Sequence, residues 1–217
     1  MIIAIDGPAG AGKSTVAKIL AQRLGFLYID TGAMYRALTL KIIDGKVDPQ
    51  DSLAIIKLAE TSSIDLIYNP DGSLKVLLDR EDVSFKIRQP RITKLVSDIA
   101  KINGVREVML RLQRKLGRGG DVVLDGRDIG TVVFPNADKK FYIDAAFPER
   151  VNRRYKELIQ FGQKVSQEEI NDDLRNRDTI DTTREVAPLK KAADAIYIDT
   201  TTMSIEEVVN KVLAYIR

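Results

Sequence analysis

Short apolar runs rich in β-branched residues recur along the chain, and stretches with helical spacing separate them. The runs cover residues 2–5, 26–29, 122–124, 140–143 and 195–198. Runs without polar alternation are typical of strands buried on both faces, and strands separated by helices form parallel sheets. The pattern therefore predicts an α/β fold built around a central parallel sheet.

Helix signals lie between these runs. The stretch after the first run places Val16, Ala17 and Leu20 on one face, which is the spacing of an amphipathic helix. Ser-x-x-Glu sequences beginning at Ser166 and Ser204 are capping boxes, in which side chain and backbone satisfy each other at a helix start. We expect a helix after Ser166 and a final helix after Ser204 that packs on the sheet.

A strong turn sequence, Asn69-Pro70-Asp71-Gly72, separates residues 64–68 from residues 74–78. All four residue types favour turns, so the pattern predicts an antiparallel hairpin inserted between the alternating strands and helices of the α/β fold. We interpret residues from about 36 to 104 as an inserted subdomain and the charge-rich residues from about 147 to 187 as a helical lid. The remaining core of this single domain, residues 1–217, consists of residues 1–35, 105–146 and 188–217.

Composition narrows the class of protein. The 217-residue chain is 44% apolar and 30% charged, which is typical of globular proteins. No apolar run approaches the roughly 18 residues of a membrane-spanning helix, so we expect no membrane partner. The formal net charge is only +3 with both signs interspersed, which argues against a nucleic-acid partner. Cysteine is absent, which suits a reducing compartment, and we expect a cytoplasmic protein.

Histidine is absent as well. Thiol nucleophiles, zinc sites built on imidazole or thiolate, and imidazole bases that titrate near neutrality are therefore excluded. Any chemistry has to use carboxylates, cationic side chains and hydroxyls. Small anionic ligands suit such a set.

Residues 7–14 read GPAGAGKS and match G-x-x-x-x-G-K-[ST] between a predicted strand and a predicted helix. Glycines allow such a loop to surround phosphate oxygens with its N–H groups and the helix N-terminus. Lys13 adds a positive charge toward the β- and γ-phosphates, and Ser14 offers a hydroxyl to Mg²⁺. We predict that a nucleoside triphosphate is bound by Gly7, Pro8, Ala9, Gly10, Ala11, Gly12, Lys13, Ser14 and Thr15.

The predicted strand 122–124 ends in Asp125, a carboxylate that can reach the metal ion through water. Motor-type ATPases usually carry a water-positioning glutamate next, whereas Gly126-Arg127 follows here. The base-reading motif N-K-x-D of GTPases is also missing, because Asn210-Lys211 continues into Val212-Leu213. Transfer to a bound acceptor therefore fits better than hydrolysis.

An acceptor phosphate explains why the chain manages without histidine. The second pKa of a phosphate monoester is about 6, so a nucleoside monophosphate is already an ionised nucleophile at pH 7 and needs no general base. Positioning and charge neutralisation then suffice, and the planar fork of arginine suits both tasks. Arginines recur in the insertion and in the lid.

Several segments together resemble the bacterial cytidylate kinase family. They are IDGPAGAGKST (5–15), DTGAMYR (30–36), EDVS with IR (81–84 and 87–88), DGRDIGTVVFP (125–135) and VAPL (186–189). The resemblance implies a P-loop NTPase fold: a three-layer α/β sandwich with a central parallel sheet, an inserted NMP-binding subdomain that contains the antiparallel hairpin, and a helical lid.

The resemblance also implies roles for individual residues. Arg36 would hold the monophosphate's phosphate group, Thr31 would lie near its ribose, and Asp128 would face its base. The implied CMP-binding residues are Thr31, Arg36, Ser97, Arg106, Arg127, Asp128, Arg177 and Asp181. The implied catalytic residues are Lys13, Arg127, Arg177 and Arg184.

Asp128 would decide the choice of base. Cytosine offers an amine donor and two acceptors, which a carboxylate and two donors complement, whereas uracil sets its O4 acceptor against the carboxylate. By analogy with base readout the mismatch costs about 1 to 3 kcal/mol. CMP should therefore be preferred over UMP.

We expect phosphoryl transfer from ATP to CMP, and also to dCMP, with Mg²⁺, giving ADP and CDP or dCDP. We expect the protein to act as a monomer.

Three alternative functions stay open. A kinase of another small metabolite, or of UMP or AMP, would share the loop; a regulatory nucleotide switch would hydrolyse ATP slowly and carry a partner surface; a nucleic-acid binder would need clustered basic charge.

Overall fold

The computed structural model describes residues 1–68 and 74–216. Along the chain, the elements up to residue 60 are β1 (Ile2–Asp6), α1 (Lys13–Leu24), β2 (Leu27–Asp30), α2 (Thr31–Asp44) and α3 (Ser52–Glu60). Those up to residue 117 are β3 (Ile64–Tyr68), β4 (Leu74–Leu78), β5 (Glu81–Asp82), a 3-10 turn (Lys86–Arg88), α4 (Pro90–Ala100) and α5 (Asn103–Gly117). The remainder are β6 (Val122–Gly126), a π-helical turn (Ile129–Val133), β7 (Lys139–Asp144), α6 (Phe147–Gln160), α7 (Gln167–Thr183), β8 (Ile196–Asp199) and α8 (Ile205–Ala214).

The main sheet has five strands among the described residues, in the order β2-β6-β1-β7-β8. β1 pairs with both β6 and β7, β7 pairs with β8, and all three pairings are parallel. Each of the five apolar runs singled out in the sequence forms one of these strands. The predicted α/β class with a central parallel sheet is confirmed.

The chain divides into two compact units. The first comprises Met1–Tyr28 together with the residues from Gly119 onward and is called the loop unit below; the second comprises Ile29–Arg118 and is called the insert unit. The subdomain boundaries that the sequence suggested, about 36–104 and about 147–187, stay a prediction. Within residues 1–68 and 74–216, no helix combines the length and the apolar character needed to cross a membrane.

The core of the loop unit lies on the central strands. Ile3, Ile5 and Phe141 are among the largest side chains that are fully buried. They are covered because strands flanked by helices on both faces expose neither row of side chains to water. α8 begins at a reciprocal capping box between Ser204 and Glu207, as predicted, and α8 packs next to α1.

The insert unit contains the antiparallel element. β3 and β4 pair antiparallel over the bounds expected from sequence, with Ile64 opposite Leu78 and Tyr68 opposite Leu74. The turn residues Asn69-Pro70-Asp71-Gly72 lie outside the described residues. A third strand, β5, pairs with β4 and was not predicted. Within this unit α2 packs against α4, and α3 packs against α5.

Helices α6 and α7 of the loop unit pack against each other. The predicted capping box at the start of α7 is present, with Ser166 and Glu169 bonded reciprocally. The apolar cluster between the two helices includes Val151 and Leu174, and it also includes Ala9 of the glycine-rich loop. The loop is thus built into the core of this helix pair.

Substitution of a central strand residue should test this assignment of the core. Leu124 is fully buried in β6, whereas Leu53 in α3 is 81% exposed. Leu124→Ala removes buried methyl groups and leaves a cavity, so we expect it to lower the free energy of unfolding by about 2 to 5 kcal/mol. Leu53→Ala makes the same chemical change at the surface and should alter the free energy of unfolding by no more than about 0.5 kcal/mol. Urea unfolding of both variants measures the difference, and equal losses would contradict the assignment.

Candidate active site

The glycine-rich loop runs from the end of β1 to the start of α1 and depends on glycine at two points. Gly7 has φ 145°, and a Cβ there would overlap the carbonyl oxygen of Ile143 in β7. Gly12 has φ 88° and immediately precedes the first residue of α1. Other residues rarely adopt such angles, so the loop reaches α1 close to β7 only because glycine is present.

Two arginines of α6 donate hydrogen bonds to carbonyl oxygens of this loop. Arg150 donates from Nη1 to the carbonyl oxygen of Ala9 at 3.1 Å, and Arg153 donates to that of Ala11 at 3.4 Å. The hydroxyl of Thr200 also donates to the Ala11 carbonyl, at 3.3 Å. Neither arginine was predicted as a site residue, because residues about 140 positions apart in sequence gave no local signal.

Lys13 lies buried at the start of α1 and is 5% exposed. Its Nζ donates to the carbonyl oxygen of Pro8 in the same loop at 2.6 Å. Burial and the positive charge of Arg127 lower the pKa of Lys13 below its ordinary value, although Asp125 opposes the shift. An ammonium group that is this poorly compensated favours the approach of a negatively charged ligand.

The predicted metal-binding pair is in contact. Ser14 donates from Oγ to Oδ2 of Asp125 at 2.7 Å, and the Tyr28 hydroxyl donates to Oδ1 of the same carboxylate at 2.7 Å. Among the described residues, no group of three or more acidic side chains is placed to hold a metal ion. One hydroxyl and one carboxylate suit Mg²⁺, which usually keeps several waters and completes its shell with phosphate oxygens.

Four other predicted residues form one buried ionic network in the loop unit. Arg127 donates from Nε to Asp181 at 2.8 Å, and Arg184 donates to Asp128 at 3.3 Å. Arg184 also lies 3.8 Å from the other oxygen of Asp181. Burial alone would raise the pKa of Asp181, but Arg127 and Arg184 outweigh it and hold the pKa below its ordinary value.

Arg177 of α7 is less well compensated. Its Nη1 lies 3.7 Å from Asp173, and its Nε is buried with no hydrogen-bond partner among the described residues. Burial, opposed by Asp173 and reinforced by Arg127, lowers the pKa of Arg177 to about 10. A buried donor without an acceptor is costly, so this guanidinium is prepared to bind an anion.

The insert unit holds a second incompletely satisfied arginine. Arg36 donates from Nη2 to both carboxylate oxygens of Asp30, at 3.1 and 3.3 Å, while its buried Nε has no partner among residues 1–68 and 74–216. Asp30 also caps α2 by accepting from the backbone N–H of Ala33. Thr31 is the first residue of α2 and is buried.

The other two predicted residues of the insert unit lie on separate helices. Ser97 on α4 and Arg106 on α5 are each 7% exposed, and α4 packs against α5. Arg106 donates from Nη1 to the carbonyl oxygen of Ala100 at 3.2 Å. An arginine this deeply buried is not a solvated surface residue, and its role at the base stays a prediction.

Comparison with known proteins decides the family. A family model described as cytidylate kinase matches residues 3–217. The chain belongs to the cytidylate kinase family. Cytidylate kinases of Carboxydothermus hydrogenoformans and Clostridioides difficile are 49% and 50% identical to it over 216 residues, covering the whole chain and 97% and 98% of those proteins. A solved shikimate kinase from Bacteroides thetaiotaomicron is 12% identical, covers 100% of this chain and 98% of its own, and has a TM-score of 0.51, which supports the fold alone.

Asp6 is a buried carboxylate next to the glycine-rich loop of this cytidylate kinase family chain, and the sequence analysis did not select it. It ends β1, is 4% exposed, and accepts from the backbone N–H groups of Ile129 at 2.8 Å and Gly130 at 2.7 Å. These residues open the π-helical turn directly after Asp128. The sequence signal that could have identified Asp6 is a carboxylate at the end of an apolar strand, immediately before the glycine-rich loop.

The protonation of Asp6 yields a pH prediction. Burial raises its pKa to about 6 from 3.8, despite the two backbone hydrogen bonds. Its ionisation therefore opposes folding, and the destabilisation grows as the pH rises from about 4 to 7. Asp6→Asn cannot ionise, so the stability of the wild type relative to this variant should fall over that range, by up to about 3 kcal/mol. Denaturant unfolding at several pH values measures the difference, and a difference that does not change with pH would contradict the assignment.

Proposed function

We propose that this protein transfers the γ-phosphoryl group of ATP to CMP, and also to dCMP, giving ADP and CDP or dCDP. The observation that carries the proposal is the pair of incompletely neutralised cations, Lys13 and Arg177, in the unit that holds the glycine-rich loop. Relatives that are about half identical over their whole length carry the name cytidylate kinase. Those names support CMP as the acceptor.

The triphosphate of ATP would bind at residues 7–15, where backbone N–H groups and the start of α1 offer hydrogen-bond donors. Lys13 now donates to the carbonyl oxygen of Pro8, and phosphate oxygens would give its ammonium a charged partner instead. Negative charge next to Lys13 would raise its lowered pKa and keep it cationic.

Ser14 and Asp125 would hold Mg²⁺, since a hydroxyl and a carboxylate oxygen 2.7 Å apart are ligands that this ion accepts, directly or through water. When bound, Mg²⁺ neutralises phosphate charge and withdraws electrons from the phosphoryl oxygens. Tyr28 would fix the orientation of the Asp125 carboxylate through its hydroxyl hydrogen bond.

The residues proposed to bind the CMP acceptor are those that the family resemblance implies. In the insert unit, Arg36 would hold its phosphate, with Thr31 near the ribose and Ser97 and Arg106 at the base. In the loop unit, Asp128 would accept from the cytosine amine, Arg127 and Arg177 would line the phosphate, and Asp181, which accepts from Arg127, would lie beside the substrate. The buried Nε atoms of Arg36 and Arg177 support an anionic ligand, because each would gain the acceptor that it lacks.

The reaction needs no base from the protein. A phosphate oxygen of CMP, ionised at pH 7, forms a bond to the γ-phosphorus while the bond to the β-phosphate oxygen breaks and ADP leaves with those electrons. Lys13, Arg127, Arg177 and Arg184 would neutralise the charge that spreads over the transferred group. Burial of these cations strengthens their interaction with it, since nearby water is excluded.

Other expectations from the sequence remain part of the proposal. They are a monomeric state, action in the cytoplasm, and no role in nucleic-acid binding. A kinase of UMP, AMP or another small metabolite is the alternative function, and it would use the same loop.

Coupled measurement of ADP release with CMP, dCMP, UMP, AMP and shikimate in turn tests the function. We expect the highest kcat/KM with CMP, and a value about tenfold to hundredfold lower with UMP, since its O4 acceptor would face Asp128. ADP release without any acceptor should be far slower. A higher value for AMP or shikimate would replace the proposal with the metabolite alternative, and release that does not depend on acceptor would favour a nucleotide switch.

Removal of the Lys13 charge tests the role of the loop. Lys13→Ala deletes a cation aimed at the transferred phosphoryl group, so we expect kcat to fall at least about hundredfold. Lys18→Ala provides the matched control, because Lys18 lies in the same helix and is only partly buried. Thermal unfolding should show both variants folded, and full turnover by Lys13→Ala would disprove its role.

A further inference from the structure

Arg150 is buried in α6, at 7% exposed, and joins separate parts of the loop unit. Its Nε donates to the carbonyl oxygen of Ala145 at 3.1 Å, and its Nη1 donates to that of Ala9 at 3.1 Å. The same Nη1 lies 2.7 Å from Oδ2 of Asp178 in α7, and the guanidinium carbon lies 5.0 Å from the ring centre of Phe147. A single side chain therefore contacts the loop, the strand end before α6, and α7.

The backbone of α6 also fits closely against the loop. A Cβ placed on Gly10 would lie 2.9 Å from the backbone oxygen of Arg150, which leaves no room for a larger residue. The side chain of Ala9 is 5% exposed and packs in the cluster that includes Val151 and Leu174. Packing on one side of Ala9 and a hydrogen bond on its carbonyl together leave the loop little freedom to move relative to α6.

Asp178 extends this connection to the cations of α7. It follows Arg177 directly and precedes Asp181 by three residues, which is about one helical turn. The Oδ1 atom of Asp178 is buried without a hydrogen-bond partner in the described part of the chain. The ion pair with Arg150 is thus an interaction on which the position of this segment of α7 depends.

We propose that Arg150 is a positioning residue that couples the glycine-rich loop to α7. Through Ala9 it orients the loop, and through Asp178 it fixes the turn of α7 that carries Arg177 and Asp181. Binding of a triphosphate by the loop and placement of the α7 cations are then linked by one guanidinium. The role in turnover rests on the proposed function, whereas the mechanical coupling does not.

The geometry requires arginine in particular. A guanidinium offers donors in fixed directions, so it can hold two carbonyl oxygens and a carboxylate at once, whereas a lysine ammonium is a single charge on a flexible stem. Arg150→Lys therefore keeps the charge but loses the simultaneous contacts. Removal of one partner from a buried pair leaves the other uncompensated, so Asp178→Asn should disturb the same connection from the α7 side.

Hydrogen exchange of the ligand-free protein tests the coupling. In Arg150→Lys and in Asp178→Asn we expect faster exchange at both the loop, residues 7–14, and α7, while α8 of the same unit stays unchanged. Arg175→Lys is the matched control, because Arg175 also lies over the ring of Phe147, at 4.7 Å, but is exposed and pairs with Asn171. Faster exchange confined to α6 and α7, or spread equally to α8, would overturn the proposal.

Kinetics test the consequence for turnover. Each single variant should lower kcat with ATP and CMP by about tenfold to hundredfold, the loss expected when reacting groups are slightly misplaced. The Arg150→Lys/Asp178→Asn double variant should lose no more than the worse single variant, because both substitutions break one connection. Losses that multiply would show two independent effects and overturn the coupling.

The two proposals fail in distinguishable ways. A wild-type protein that does not phosphorylate CMP would refute the proposed function, yet the exchange measurement uses neither nucleotide. Normal turnover of CMP by the wild type, with exchange unaltered at the loop in both variants, would refute the coupling and leave the proposed function intact.

Discussion

The carbonyl oxygens of the glycine-rich loop are the groups on which most of this site depends. A loop that offers its N–H groups to a ligand still has to satisfy its own acceptors, since buried carbonyls without donors are costly. Here cationic side chains supply those donors: Lys13 bonds to Pro8 and Arg150 to Ala9. The residues that stabilise the loop therefore also bring positive charge to it, so stability and anion binding arise from the same contacts.

Much of the fold was readable from sequence because buried parallel strands need no alternation and stand out as short apolar runs. The hairpin flanks 64–68 and 74–78 were equally clear. Strand β5 was not, because Glu81 and Asp82 are both polar and exposed, and only their pairing with Leu77 and Leu78 makes them a strand. Division of the chain into compact units depends on contacts distant in sequence, which no local pattern records.

The residues of the candidate site also fall into those that the sequence predicted and those that it did not. Lys13 and Ser14 could be assigned from spacing alone, because the loop and the helix start fix their positions locally. Ser97 and Arg106 came only from family resemblance, since a serine or arginine in a helix carries no signal of its own. Asp6 and Arg150 were missed, although each is buried, because their partners Ile129 and Ala9 lie 123 and 141 residues away. Buried charged residues whose partners are distant in sequence could therefore be identified only from the folded structure.

The pairing of Asp30 with Arg36 has one more consequence. The carboxylate already holds the guanidinium in place and at the same time accepts from Ala33 at the start of α2. An anion that binds the unpartnered Nε of Arg36 thus meets a side chain whose rotamer entropy was lost when the chain folded, rather than a freely moving cation. Since Asp30 bonds to Nη2 and to Ala33, an anion at Nε leaves both of these contacts and the first turn of α2 intact.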